Sequence, residues 1–170
     1  MSFDRDAVEL ELVRVARRAQ DIEWMIADQK AEIAQPYGTL KIISHEAIGT
    51  ADVESLPNGN QITERVREHY VVNVSFQAIG RDSMTVLATL KTLLRRPSTI
   101  IGTKNELTLE FMRAGEVRDL AQVMSGDWEG RAQMDAVFTV GFACDLDIDT
   151  VQSVEISSAY RTQLVEVPEA

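Results

Sequence analysis

The sequence contains one cysteine, which excludes a disulfide within the chain and any metal cluster built from several thiolates. It also lacks a basic and apolar leader at its start. Its longest nearly apolar run, from 136 to 144, is far shorter than the ~20 residues that a membrane helix needs. We therefore expect a soluble protein that is made in the cytoplasm and has no contact with a membrane.

Motifs for phosphate, dinucleotide and nucleophile chemistry are also missing. His45 and His69 fall in strand-forming sequence, without the second histidine of a zinc-binding helix. Asp145, Asp147 and Asp149 lack the glycine and the glutamate of a calcium loop, so we interpret them as a solvated acidic turn. The cysteine alternates with core residues and is interpreted as a buried, inert thiol. We predict no enzyme, no metal site and no cofactor.

The charge is unbalanced, with 27 acidic residues against 17 basic ones and a net charge of −10 at pH 7. An excess of carboxylates repels phosphate backbones, so a nucleic-acid clamp is disfavoured. The same repulsion suits a surface past which DNA must slide without sticking.

The composition is that of a globular protein, with 45% apolar residues in a chain of 170. We find no repeats, linker or low-complexity segment. We predict one α+β domain over residues 1–160, followed by a mobile tail over 161–170. Its expected architecture is a mixed, mostly antiparallel sheet backed by two main helices, with a long projecting β-hairpin.

The clearest strand signal is the alternation of apolar and polar residues from 133 to 144. A period of two over this length predicts a half-buried strand, and its β-branched and aromatic residues suit the middle of a sheet. The residues expected to face inward are Met134, Ala136, Phe138, Val140, Phe142 and Cys144.

Two further strands are predicted over residues 40–55 and 61–79, separated by a turn at 56–59. Arms of ~15 residues would reach about 50 Å, whereas a compact domain of this size is only about 40 Å across. We therefore expect the hairpin to project and its polar tip to contact a neighbour. The candidate contact residues are Asp52, Val53, Glu54, Leu56, Asn58, Asn60 and Arg65, together with Arg95 and Arg96 of a basic cluster near the second helix.

Helical spacing occurs over residues 7–19 and 84–94, each preceded by an aspartate that can cap the helix. In the first helix we expect the glutamates and arginines to lie away from the apolar face. Alternation predicts strands over 107–111 and 151–160, and one or two helical turns are predicted over 117–124.

Three segments together resemble a known family. They are residues 35–42 (QPYGTLKI), 76–83 (FQAIGRDS) and 128–135 (WEGRAQMD). In order and spacing they are similar to the phage neck terminator proteins, also called tail terminator or tail completion proteins, of long-tailed bacteriophages. The resemblance spans roughly residues 5–160.

The resemblance implies a ring, usually six-fold, that caps the head-proximal end of the tail and joins the neck. It implies contacts with further copies, with tail-tube and sheath proteins, and with neck or head-completion proteins. DNA would pass through the centre without specific binding, and the family has no catalytic residues to carry over. Candidate channel-facing acids are Asp145, Asp147 and Asp149, with Asp52 and Glu54 as a second set.

Two other classes of protein stay open at this stage. One is a different ring of the virion, such as a head–tail adaptor or a tail-tube subunit. The other is a free-standing α+β domain that binds a small molecule or a host protein.

Overall fold

A computed structural model describes residues 3–28, 34–58, 61–96, 107–124, 127–148, 153–158 and 161–166. Its helices are α1 (Arg5–Ala19) and α2 (Ser83–Leu94). Its strands are β1 (Glu23–Ile26), β2 (Tyr37–Asn58), β3 (Gln61–Ile79), β4 (Leu107–Ala114), β5 (Arg118–Asp119), β6 (Gln122–Met124), β7 (Asp127–Glu129), β8 (Arg131–Ile148), β9 (Ser153–Ser158) and β10 (Arg161–Glu166).

The main sheet has six strands in the order β1-β2-β3-β8-β4, with β5 beside β8. Strand β1 runs parallel to β2, whereas β4 and β5 run antiparallel to β8, so the sheet is mixed. The pairs β6–β7 and β9–β10 form two small antiparallel sheets. The predicted α+β class, with two helices and a mixed sheet, is confirmed.

The chain divides into two compact units. The first comprises Met1–Ala51 and Glu68–Ala143, and it holds both helices and the hydrophobic core. The second comprises Asp52–Arg67 and Cys144–Ala170, which are the distal part of the β2–β3 hairpin, the end of β8, and β9 with β10. The predicted domain boundary at 160 and the projection of the hairpin stay predictions. Residues 161–166, which we assigned to the tail, form β10.

The core of the first unit is built from one face of β3 and β8 and the apolar sides of the two helices. This arrangement follows from alternation in the strands and from three- and four-residue spacing in the helices. The buried strand residues are Tyr70, Val72, Val74, Phe76 and Ala78 of β3, and Ala132, Met134, Ala136, Phe138 and Val140 of β8. The predicted inward face is therefore confirmed from Met134 to Val140. Phe142 is half-buried but packs against this core, as predicted. Cys144 is also half-buried, so the expectation of a buried thiol is wrong.

The helical turns predicted over residues 117–124 are absent, and β5 and β6 stand in their place. Pairing with β8 explains the difference, because Arg118 lies opposite Gln133 and the Leu120 N–H donates to the Arg131 carbonyl at 2.7 Å. Backbone pairing to a neighbouring strand overrides the weak local helical pattern.

One of the two segments predicted near the C-terminus is also wrong. The acidic stretch after the central strand is not a turn, because β8 continues through Asp145 and Asp147 to Ile148; Asp149 lies outside the described residues. The strand predicted over 151–160 is confirmed for Ser153–Ser158, which form β9 and pair with β10; residues 151, 152, 159 and 160 lie outside the described residues.

The two helices begin differently. The Asp4 side chain accepts a hydrogen bond from the Ala7 N–H at 3.0 Å, as expected for an N-cap. Asp82 occupies the N-cap position of α2 in the left-handed conformation, with φ 64°, and its side chain makes no capping hydrogen bond. The predicted cap position is therefore confirmed, without a hydrogen bond from the Asp82 side chain.

Glu9 is buried, although its spacing predicted an outward position. Its carboxylate accepts a hydrogen bond from Arg5 at 3.0 Å and one from the Ile42 N–H at 3.4 Å, while Arg5 donates to the Ile42 carbonyl at 3.1 Å. Strand β1 pairs with β2 only as far as Leu40. The Arg5 and Glu9 side chains hydrogen-bond the backbone of β2 at Ile42, just after the point where β1 ends. We call Arg5 and Glu9 the edge clamp. It satisfies backbone groups that are otherwise unpaired at a sheet edge.

We expect Glu9→Ala to lower the free energy of unfolding by about 1–3 kcal/mol, because it leaves a buried N–H without its acceptor. Glu9→Gln, which keeps one side-chain carbonyl oxygen, should cost less. Urea denaturation of both variants measures the difference. A loss below about 0.5 kcal/mol for Glu9→Ala, which is typical of an unimportant surface change, contradicts the clamp.

Candidate functional site

The three family-like segments meet at one corner of the first unit. The Gly80 N–H donates to the Gly130 carbonyl at 2.8 Å, and the Gln35 side-chain amide donates to the Glu129 carboxylate at 2.9 Å. Gly80 has φ 110°, and a Cβ there would lie 3.1 Å from the Pro36 Cα. We call these five residues the motif junction. It requires glycine for both backbone conformation and close approach.

The first of these segments also fixes the entry to β2. Gly38 lies against the Trp24 ring, and a Cβ at Gly38 would clash with that ring. Trp24 is fully buried and packs edge-on against Phe76, with ring centroids 5.9 Å apart. The side chain of Trp128, in the third segment, lies outside the described residues.

Strand β2 carries a long exposed stretch, since every residue from 43 to 55 is exposed. Three large apolar side chains stand in it: Ile43 (59% exposed), Ile48 (44%) and Val53 (57%). Beyond the edge clamp, the described part of the chain places no strand at the outer edge of β2. Exposed apolar residues along an unpaired edge are typical of a surface that contacts another protein.

The predicted contact residues fall in both units. Asp52, Val53 and Glu54 are exposed in the second unit, and Leu56 is half-buried there. The Arg67 guanidinium lies 3.0 Å from the Glu54 carboxylate. Arg95 and Arg96 are exposed after the end of α2 in the first unit. Asn60 and the side chain of Asn58 lie outside the described residues.

Arg65 and Asp145, predicted for two different roles, form one ion pair within the second unit. The guanidinium donates to both carboxylate oxygens, at 2.7 and 2.8 Å. This hydrogen bonding lowers the pKa of Asp145 below its ordinary value of 3.8. The resulting stabilisation is present above the unfolded pKa and is lost as the pH falls through the lower, folded pKa. Nothing is described of the Asp147 side chain or of Asp149.

Nothing in the described ranges resembles a metal centre, since no three histidine, cysteine or carboxylate side chains there come together to hold an ion. Among the described helices, none has the length and apolar character to cross a membrane. The exposed apolar side chains of β2 are typical of a surface that contacts another protein.

Comparison with known proteins agrees with this picture. The model of a family described as phage neck terminator protein matches residues 6–162, which is nearly the whole chain and includes all three segments of the motif junction. A search of curated proteins found no match. The chain therefore belongs to the phage neck terminator protein family and is a structural component of the tail and neck of a phage particle.

Proposed function

We propose that this protein is a tail terminator. Six copies form a ring that closes the head-proximal end of the tail, joins it to the neck, and lets DNA pass through its centre. The observation that carries the proposal is the family match over residues 6–162. The exposed stretch of β2 supports it, because Ile43, Ile48 and Val53 are exposed apolar side chains along a strand edge that is unpaired in the described part of the chain, which is typical of a protein-contact surface.

The partners of this ring are further copies of the chain, the tail tube, the sheath where the tail is contractile, and neck or head-completion proteins. A closed ring requires that each copy offer two different surfaces, one for each neighbour. The separate sets of exposed residues in the two units, Val53 in one and Arg95 and Arg96 in the other, are our candidates for these surfaces.

The mass of the purified protein tests the ring. Light scattering at high protein concentration should give the mass of six copies, and negative-stain microscopy should show closed rings. If the protein is a monomer in solution, the ring forms only on the end of the tail. Tails purified with the protein should then each carry one ring. A monomer in both settings contradicts the proposal, and open stacks would indicate a tail-tube subunit instead.

Replacing residues 53–62 by a short Gly-Ser turn should leave the first unit folded and prevent assembly. The reason is that this segment is exposed around Val53 and Ile62, so the core loses nothing when it is removed. Circular dichroism checks the fold, and light scattering checks the ring. Leu10→Ser, which changes an apolar side chain 51% exposed on α1, is the control. Normal rings and normal tail attachment in the replacement variant would refute this role.

The bore of the ring should be acidic. Six copies together carry about −60, which gives a repulsive field within a Debye length of ~8 Å and keeps DNA from binding to the wall. The candidate acids are Asp145, Asp147, Asp149, Asp52 and Glu54. Reversal to lysine of those that face the bore, and not a neighbouring copy, should preserve the ring and slow DNA ejection, most at low salt. Glu116→Lys, at an exposed acid of the first unit, is the control. A ring structure with a basic or neutral bore contradicts this prediction.

A further inference from the structure

A half-open cleft lies on the face of the main sheet opposite the core. Its lining side chains come from β2, β3 and β8, including Lys41, Gln77 and Arg131, and these positions alternate with core residues along each strand. Its volume is about 440 Å³. Exposed Ile43 also lines it, so the cleft joins the exposed stretch of β2. We call it the Arg131 cleft.

Four polar side chains of the cleft bond to one another in two pairs. Lys41 forms an ion pair with Asp28 at 2.7 Å, and the Gln133 side chain donates to the Ser75 hydroxyl at 2.8 Å. Arg131 donates from one terminal nitrogen to the Gln77 carbonyl oxygen at 2.5 Å. Its Nε is buried and has no hydrogen-bond partner, and within the described ranges no carboxylate pairs with its charge.

The Arg131 cation is therefore held by the neutral amide of Gln77, and its buried Nε–H group has no acceptor. A buried donor without an acceptor is costly, and a guanidinium prefers a carboxylate that accepts two of its N–H groups at once. A carboxylate in the cleft would accept hydrogen bonds from the terminal nitrogens of Arg131, which is half-buried and lines the cleft, and would balance its charge. An acidic side chain is therefore the group whose charge and hydrogen-bonding geometry best match Arg131.

We propose that the Arg131 cleft receives an aspartate or glutamate side chain from a second copy of this chain. Charge complementarity favours this occupant, because each copy carries 27 acids against 17 bases and has exposed carboxylates to offer. The same excess of acid repels a phosphate backbone. Ile43, 59% exposed, adds an apolar contact at the rim, and an arginine beside an apolar side chain is a common centre of binding energy. The inference rests on the proposed ring.

The test compares Arg131→Met with Arg81→Met. Methionine keeps the apolar stem of Arg131 and removes its donors, whereas Arg81 is an exposed arginine outside the cleft. Ring formation is measured by light scattering at a series of protein concentrations. If rings form only on tails, it is measured instead as incorporation of each variant into tails that lack the wild-type protein. We expect Arg131→Met to raise the concentration for half-assembly about tenfold or more. Arg81→Met should change it less than about twofold, as is usual for an exposed charge.

Circular dichroism and thermal unfolding show whether Arg131→Met folds. If it does not, Ile43→Asp at the exposed rim gives the same readout, because its carboxylate repels the incoming acid, and Ile43→Asn is its uncharged control. Rings that form at the wild-type concentration in the folded cleft variant overturn the inference and leave the proposed ring standing. If the cleft variant forms rings normally but the rings fail to attach to the tail, the acidic side chain that binds Arg131 belongs to a neighbouring protein. That result also overturns the inference. A wild-type chain that never forms rings refutes the proposed function itself.

Discussion

Phe138→Ala should lower the free energy of unfolding by about 3–5 kcal/mol, the usual cost of removing a buried aromatic ring. Phe138 is fully buried near the middle of β8. Its ring lies between those of Phe76 and Phe111, with centroids 6.2 and 5.7 Å away. The substitution therefore removes contacts with both neighbouring strands and leaves a cavity that the sheet cannot easily close. A loss of this size is a large share of the 5–15 kcal/mol typical of a folded domain.

Chemical denaturation of the wild type and the variant measures this loss. Met112→Ala is the matched control, because Met112 belongs to the adjacent strand β4 and is 55% exposed. The control should change stability by less than about 0.5 kcal/mol. A change below about 1 kcal/mol for Phe138→Ala would mean that the inward face of β8 is assigned wrongly.

Gly130→Ala should cost about 1–3 kcal/mol, the range for forcing extra atoms into a packed site. A Cβ at Gly130 would lie 2.6 Å from the Gly80 carbonyl oxygen, and this obstacle is backbone that cannot rotate away. The same two residues share the backbone hydrogen bond of 2.8 Å that joins two segments of the motif junction. To admit the methyl group, that hydrogen bond has to lengthen or the strands have to separate.

Gly115→Ala is the control for this prediction. A Cβ at Gly115 would lie 3.4 Å from the Asp135 carbonyl oxygen, which is an ordinary contact, and its backbone is not in the left-handed region. Here the loss of chain freedom in the unfolded state should make the variant neutral, or more stable by about 0.4–1 kcal/mol. Thermal and urea unfolding of both variants provide the measurement. Equal stability of the two alanine variants would show that the close approach at Gly130 does not constrain the fold.

Much of the fold was predictable because the strongest signals are local and periodic. The bounds of β3 and the start of α1 follow from alternation and from the capping aspartate Asp4. The predictions that were wrong concern segments whose conformation depends on pairing with a strand far away in the sequence. Val117 to Met124 has a faint helical spacing, yet its backbone bonds to β8 and to β7 in strand form. The continuation of β8 through Asp145 and Asp147 was likewise missed, and there Asp145 pairs with Arg65, a residue far away in the sequence.

The candidate site was predictable only in part. The polar, unpatterned sequence of the distal hairpin marked Val53 and Glu54 as residues without a core to enter, and both are exposed. The pairing of Arg65 with Asp145 joins residues 80 positions apart, and no local pattern encodes it. The Arg131 cleft was missed for the same reason. One signal was available, since an arginine among small and apolar residues at the start of a central strand must either reach solvent or find a partner.

By itself, the sequence determined the α+β class, the inward face of β8 and the acidic charge, because periodicity and composition act over a few residues or over the whole chain. It also carried the three segments that mark the family. Only the tertiary structure decided that these segments meet through Gly80 and Gly130, that Glu9 turns inward to bond the edge of β2, and that Arg131 keeps an unpaired donor. Those contacts join residues far apart in the chain, so they exist only once the strands are paired and the helices are packed.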